Sequence, residues 1–187
     1  MKKILFLSFI FALLSCNNTT TKKDPVSTSE EKNSSTTPID DTETIYYLIR
    51  HAEKDRSDAN NDDPGLTEEG LKRAKYWATY FSDKGINQIF STEFNRTQLT
   101  AYYVAQDYFI GVQNYTPNEI YTEDFKLITK GEKTLIVGHS NTIPRLVNNM
   151  LMENKFPDMD DTDNSSLYIV TVKGETITAE QIKVEVQ

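Results

Sequence analysis

The sequence predicts an α/β domain with a mixed, mostly parallel sheet flanked by helices in three layers. Two patterns carry that expectation: apolar β-branched and aromatic runs alternate with segments of helical period, and the chain closes on two strand-like runs joined by Lys173-Gly174-Glu175. Size adds a third, because Thr44 to Gln187 is 144 residues, enough for one domain around one core. No internal repeat is visible.

The elements follow in order. Lys2 and Lys3 precede an apolar run, Ile4 to Leu14, too short for a stable membrane-spanning helix and suited to the hydrophobic region of an export signal. Leu13-Leu14-Ser15-Cys16 resembles a bacterial lipobox, which implies cleavage before Cys16 and lipidation of its thiol. Cys16 is the single cysteine, so no internal disulfide forms. Asn17 to Glu43 is polar and nearly free of apolar residues, a composition that cannot offset its ordering entropy by burial. It reads as a tether with a root-mean-square reach of roughly 30 Å. The expected organisation is a signal at 1–15, a lipidated cysteine and tether at 16–43, and a domain at 44–187. The protein is therefore expected in the cell envelope, held to the membrane through its N-terminal lipid only.

Thr44 to Ile49 reads as a buried strand with Arg50-His51 at its end, and Asp55 to Gly65 as a polar loop. Thr67 is placed to cap a helix through Leu71, Ala74, Ala78 and Phe81, with Gly85 ending it. Ile86 to Phe90 follows as a strand. Leu99, Tyr102, Tyr103 and Gln106 mark a helix over Asn95 to Asp107 with Arg96 in its first turn. Gly111 to Tyr115 reads as a strand, and Asn118 to Thr129 as a helix with Ile120, Phe125 and Ile128 inward. Thr134 to Val137 is a buried strand ending in Gly138-His139-Ser140-Asn141, and Pro144 sits in the first turn of a helix through Met152. Leu167 to Val172 and Thr176 to Val186 complete the sheet.

The chain has two histidines, and each directly follows the end of one of its most apolar strands. Ligands in open α/β sheets collect at the carboxyl ends of strands, so two imidazoles delivered there can meet. Arg50 adjoins His51, and Arg96 lies at a helix start after the second strand. A guanidinium fork matches phosphate oxygens, and a helix N-terminus adds backbone donors. This constellation suits a phosphoryl group. The net charge of −8, more negative still once Lys2 and Lys3 are removed, argues against nucleic acid as a partner.

Three motifs carry a family resemblance: Leu48-Ile49-Arg50-His51-Ala52-Glu53-Lys54; Ser91-Thr92-Glu93-Phe94-Asn95-Arg96-Thr97-Gln98-Leu99-Thr100-Ala101; and Val137-Gly138-His139-Ser140-Asn141. Together with Leu66-Thr67-Glu68-Glu69-Gly70 they resemble the histidine phosphatase, or phosphoglycerate-mutase-like, superfamily, in the form of a short bacterial lipoprotein member. The resemblance implies a metal-independent, cofactor-free phosphatase acting on a phosphorylated small molecule, with His51 as nucleophile and Arg50, Arg96 and His139 binding the phosphoryl oxygens. Neutral imidazole attacks phosphorus in line, and water cleaves the phosphohistidine that results. Asn141 either contacts phosphate or caps the following helix. The family's general acid is left open among Glu119, Glu123, Asp124, Glu53 and Glu93.

Other readings compete. Gly138-His139-Ser140 resembles a hydrolase nucleophile elbow at Ser140, although the second glycine is missing and no histidine follows. A lipoprotein of the same fold that binds phosphate without turnover is the non-enzymatic alternative. Asp158 to Asp163 lacks the glycine and terminal glutamate of a calcium loop and reads as a solvated turn.

Overall fold

The computed structural model describes residues 41–187; the expected export signal, Cys16 and the tether as far as Asp40 lie outside the described residues. Ten elements alternate as expected: β1 (Glu43–Arg50), α1 (Glu68–Phe81), β2 (Gln88–Ser91), α2 (Asn95–Tyr108), β3 (Val112–Asn114), α3 (Glu123–Thr129), β4 (Lys133–Gly138), α4 (Thr142–Leu151), β5 (Ser166–Lys173) and β6 (Thr176–Lys183). They build one six-stranded sheet in the order β3-β2-β4-β1-β5-β6. The pairs β3–β2, β2–β4 and β4–β1 are parallel, while β1–β5 and β5–β6 are antiparallel.

β1 is buried on both faces, which is why its sequence runs apolar without alternation. Tyr47 and Ile49 face a core shared with Trp77 and Phe81 of α1 and Ala101 and Val104 of α2. Tyr46 and Leu48 face a second core with Phe125 of α3 and Ile143, Val147 and Met150 of α4. Helices therefore cover both faces of the sheet in three layers.

Thr67 caps α1 as its position predicts, its hydroxyl accepting from the Gly70 N–H at 3.0 Å. The Thr67 N–H donates to the Glu53 carbonyl at 2.9 Å, tying the helix start to the segment after His51. A Cβ on Gly70 would overlap that same carbonyl oxygen and come within 3.0 Å of the Glu53 nitrogen. Both obstacles are backbone and cannot step aside cheaply. Gly70→Ala is accordingly expected to lower stability by roughly 2 kcal/mol, read as a lower urea midpoint at unchanged slope. An unaltered midpoint would contradict this close approach.

Four local expectations need correction. The buried face of α2 is Thr97, Thr100, Ala101, Val104 and Ala105, whereas Tyr102 is 48% exposed and Gln106 faces solvent. Small residues let α2 lie close to the sheet, and the Thr100 hydroxyl is satisfied within the helix by the Arg96 carbonyl at 2.7 Å. The helix expected over Asn118 to Thr129 forms only from Glu123, because Asn118 takes positive φ and Thr122 supplies the cap. Its inward residues are Phe125 and Thr129, and Ile128 is 53% exposed. The Thr129 hydroxyl meets Tyr46 Oη at 2.6 Å, a polar contact that apolar periodicity does not register. Asn141 occupies the N-cap of α4 without a side-chain cap bond; the Thr142 hydroxyl instead accepts from the His139 N–H at 3.1 Å. Lastly, α1 stops at Phe81, and Gly85 supplies positive φ in the turn that follows.

The register aligns the functional segments. Arg50 pairs with Gly138 across β1 and β4, and Ser91 pairs with Val137 across β2 and β4. Thus Arg50-His51, Ser91-Thr92 and Gly138-His139 leave the sheet side by side at one edge. β5 starts at the same edge, bringing residues 158–165 there as well.

Candidate active site

His51 and His139 follow paired positions on adjacent parallel strands, and their ring centroids are 5.6 Å apart. The His51 N–H donates to the Gly138 carbonyl at 2.9 Å, and Asn164 Nδ2 donates to the His51 carbonyl at 2.8 Å. His51 Nδ1 lies 2.7 Å from the Ala52 carbonyl. A carbonyl only accepts, so Nδ1 carries the proton and Nε2 keeps its lone pair. His139 Nε2 stands 3.0 Å from Thr92 Oγ1, and the His139 ring meets the Phe94 ring edge-on at 5.1 Å.

Arg50 is buried, with Nη1 donating to the carbonyls of Asp160, Asp161 and Asp163 at 3.0, 2.9 and 3.2 Å. Its Nη2 binds Asp161 Oδ1 at 2.9 Å, while Nε is buried without a hydrogen-bond partner. Arg96 lies over the Phe94 ring with both Nε and Nη1 buried and unpartnered; Asp63 Oδ1, at 3.6 Å from Nη1, is too distant for a hydrogen bond. Three guanidinium nitrogens beside two imidazoles thus have no hydrogen-bond acceptor among the described residues, an arrangement costly unless an anion receives them.

Burial lowers the His51 pKa to about 3 against the opposing Ala52 hydrogen bond, with Arg50, His139 and Arg96 adding repulsion. Burial, then Arg96, Arg50 and Lys54, lower that of His139 to about 4. Both rings are neutral at pH 7, the form that His51 needs for nucleophilic attack. In the unfolded chain they regain the ordinary value of 6.5 and bind protons first as pH falls. Their contribution to stability is therefore intact above 6.5 and is lost as pH falls toward 4 and then 3. The melting temperature should drop across that window more steeply in the native chain than in the His51→Gln, His139→Gln double variant. Parallel curves would contradict the lowered pKa values.

The acid candidates separate by position. Glu53 Oε1 accepts from Arg73 Nε at 2.7 Å, which commits it to an ion pair. Glu93 lines a cavity of about 340 Å³ with Thr92, Phe94, Asn114 and Tyr115; Thr92 and Phe94 touch His139, while Arg50, His51, Arg96 and His139 do not line it. Glu119, Glu123 and Asp124 are exposed and line neither cavity at the site, and Glu123 pairs with Lys126 at 2.8 Å. Asn141 is exposed. Ser140 has no imidazole partner, since His139 Nε2 is turned to Thr92.

Three parts of the site escaped the sequence reading. Asn164 gave no signal beyond lying just before a strand, and Thr92 stood inside a motif without a role. The acidic stretch read as a solvated turn is instead a clamp on Arg50, made largely by backbone carbonyls that no composition reveals. Asp161 also bridges to Arg56 at 2.7 Å.

Residues 46–114 match the family model described as Histidine phosphatase superfamily (branch 1). The matched segment holds Arg50, His51 and Arg96, so the chain is similar to the histidine phosphatase superfamily over these residues. Its fold is shared with the protein histidine phosphatase SixA solved with tungstate, at TM-score 0.60 and 14% identity over 74% of this chain and 96% of that one. It is shared too with a mycobacterial glucosyl-3-phosphoglycerate phosphatase, at TM-score 0.56 and 13% identity over 75% and 98% of the two chains. A phosphoglycerate mutase from Bacillus anthracis aligns at TM-score 0.55 and 15% identity over 76% and 94%. Among proteins with curated descriptions no sequence matches.

Proposed function

We propose that the protein is a metal-independent phosphatase that transfers the phosphoryl group of a small phosphomonoester or phosphoramidate to His51 Nε2 and then to water. The observation that carries this reading is the set of buried, unpartnered donors on Arg50 and Arg96 beside an imidazole whose Nδ1 proton is fixed by the Ala52 carbonyl. Nε2 attacks phosphorus as the bond to the leaving oxygen breaks, and the guanidinium donors stabilise charge on the equatorial oxygens, joined by His139 once its Nε2 exchanges Thr92 Oγ1 for the phosphoryl group. Water then attacks the phosphohistidine, releasing inorganic phosphate and restoring neutral His51. Protonation of the leaving oxygen falls to Glu93 or to solvent, since Glu93 lines a cavity with Thr92 and Phe94, which touch His139, and Glu53 is paired with Arg73.

Hydrolysis of para-nitrophenyl phosphate by the purified protein, undiminished by chelators, is the expected result. Binding of inorganic phosphate without turnover of any phosphoester would favour a non-catalytic phosphate-binding protein instead.

Location is a further part of the proposal. Ser15-Cys16 after the apolar run supports lipidation at Cys16 and an anchored, exported enzyme. A fatty-acid analogue should label the native chain, and labelling that persists in Cys16→Ser would place the lipid elsewhere.

A further inference from the structure

A second cavity, of about 260 Å³, is lined by Arg50, His51, Glu53, Lys54, Arg56, Asp161, Thr162 and Asn164. Its charges are almost all accounted for within the protein. Glu53 is paired with Arg73, and Asp161 bridges Arg50 and Arg56. Lys54 is the exception: it is partly buried, and among the described residues no carboxylate or carbonyl receives its ammonium. Burial and the positive charges of Arg56, Arg96 and Arg50 all act against it, with Asp161 the opposing charge. Nor is it on a loose loop, because the backbone on either side is tied down. Lys54 bridges to Leu66, the Asp55 N–H donates to the Gly65 carbonyl, and the Thr67 N–H donates to the Glu53 carbonyl. An unpartnered cation borne on a fixed backbone in an otherwise acidic protein, lining the same cavity as the nucleophile, calls for an anion from outside.

We propose that Lys54 anchors a subsite for a second anionic group on the substrate, so that the enzyme prefers phosphomonoesters that also carry a carboxylate or a second phosphate. The proposal rests on the phosphatase reading and names its substrate class. Arg56 is the second arm of the subsite. Its guanidinium is 54% exposed and shares Asp161, itself 68% exposed, so an incoming anion can replace that carboxylate with little desolvation cost. Arg50, by contrast, stays held by three carbonyls whether or not Asp161 moves. Lys54 adds no step to the chemistry. It positions the leaving group by its far end, leaving the phosphoryl group to Arg50, Arg96 and His139.

Two probes isolate this role, because 3-phosphoglycerate and glycerol 3-phosphate differ only in a carboxylate against a hydroxymethyl group. The native full-length chain should show kcat/KM higher by about tenfold for 3-phosphoglycerate, the size expected of one charge-assisted contact. Lys54→Gln should bring the ratio close to one, and Lys54→Arg should keep most of it. A ratio near one in the native chain would overturn the subsite. So would a ratio that survives Lys54→Gln, with both probes slowed equally, since that result would place Lys54 on the reacting phosphoryl group. If neither probe nor para-nitrophenyl phosphate is turned over, the phosphatase reading fails by itself. The subsite is then decided by the Kd values of the two probes for the native and Lys54→Gln chains, with the same ratios expected.

Discussion

His51→Ala is expected to lower turnover of para-nitrophenyl phosphate by about ten-thousand-fold or more, the scale seen when a covalent nucleophile is deleted. No neighbour can replace it. His139, the other histidine, has Nε2 occupied by Thr92 and follows a different strand. Folding should survive, because the side chain makes one hydrogen bond, to the carbonyl of the next residue. Circular dichroism and melting temperature would establish that the lost activity is not lost structure. A folded His51→Ala protein that keeps a tenth of native activity would be incompatible with covalent catalysis at this residue.

Arg96→Ala carries the second-largest expected effect, a fall in kcat of about 10²- to 10³-fold, or roughly 3 kcal/mol of transition-state stabilisation. Stability should hardly change. Arg96 buries two nitrogens without a hydrogen-bond partner, and the folded state loses only its packing on Phe94 and a 3.6 Å ion pair with the partly exposed Asp63. Arg96→Lys should rescue poorly, because one ammonium cannot reproduce the planar fork. The Arg50 variant is a less clean test, since Arg50 also gathers the carbonyls of residues 160, 161 and 163. Its removal would loosen the segment that leads into β5 and mix a stability effect with a catalytic one. If Arg96→Ala melted far below the native protein at unchanged kcat, Arg96 would be structural and the anion site would need another donor.

Much of this site was legible in the sequence because it depends on strand ends. Thr44 to Ile49 and Thr134 to Val137 are apolar enough to mark buried strands, and a residue placed just past such a strand must lie at the sheet edge. That is why Arg50, His51 and His139 could be brought together without coordinates. Helix α1 was legible through its cap and stripe, since Thr67, Ala74, Ala78 and Phe81 obey local rules. The reading failed where tertiary context overrode local pattern. The buried face of α2 is built from threonine and alanine, and a hydrophobicity pattern gives more weight to Tyr102 and Tyr103. The Arg50 clamp depends on backbone carbonyls of residues more than 100 positions away. Lys54 stands in the first motif without a role, and its lack of a partner shows only once Glu53 and Arg56 are seen to be paired and Asp161 to be shared by Arg50 and Arg56.

The central claim is the covalent step at His51, and trapping the phosphoenzyme tests it most directly. The native chain is mixed with a substrate labelled at phosphorus, quenched in alkali within the first turnover, and digested for peptide mapping. The label should appear on the peptide containing His51, survive base, and leave in acid, because a phosphoramidate hydrolyses in acid whereas a phosphoserine does not. Label that persists through acid on the peptide containing Ser140, or steady turnover with no labelled protein at any quench time, would contradict the account.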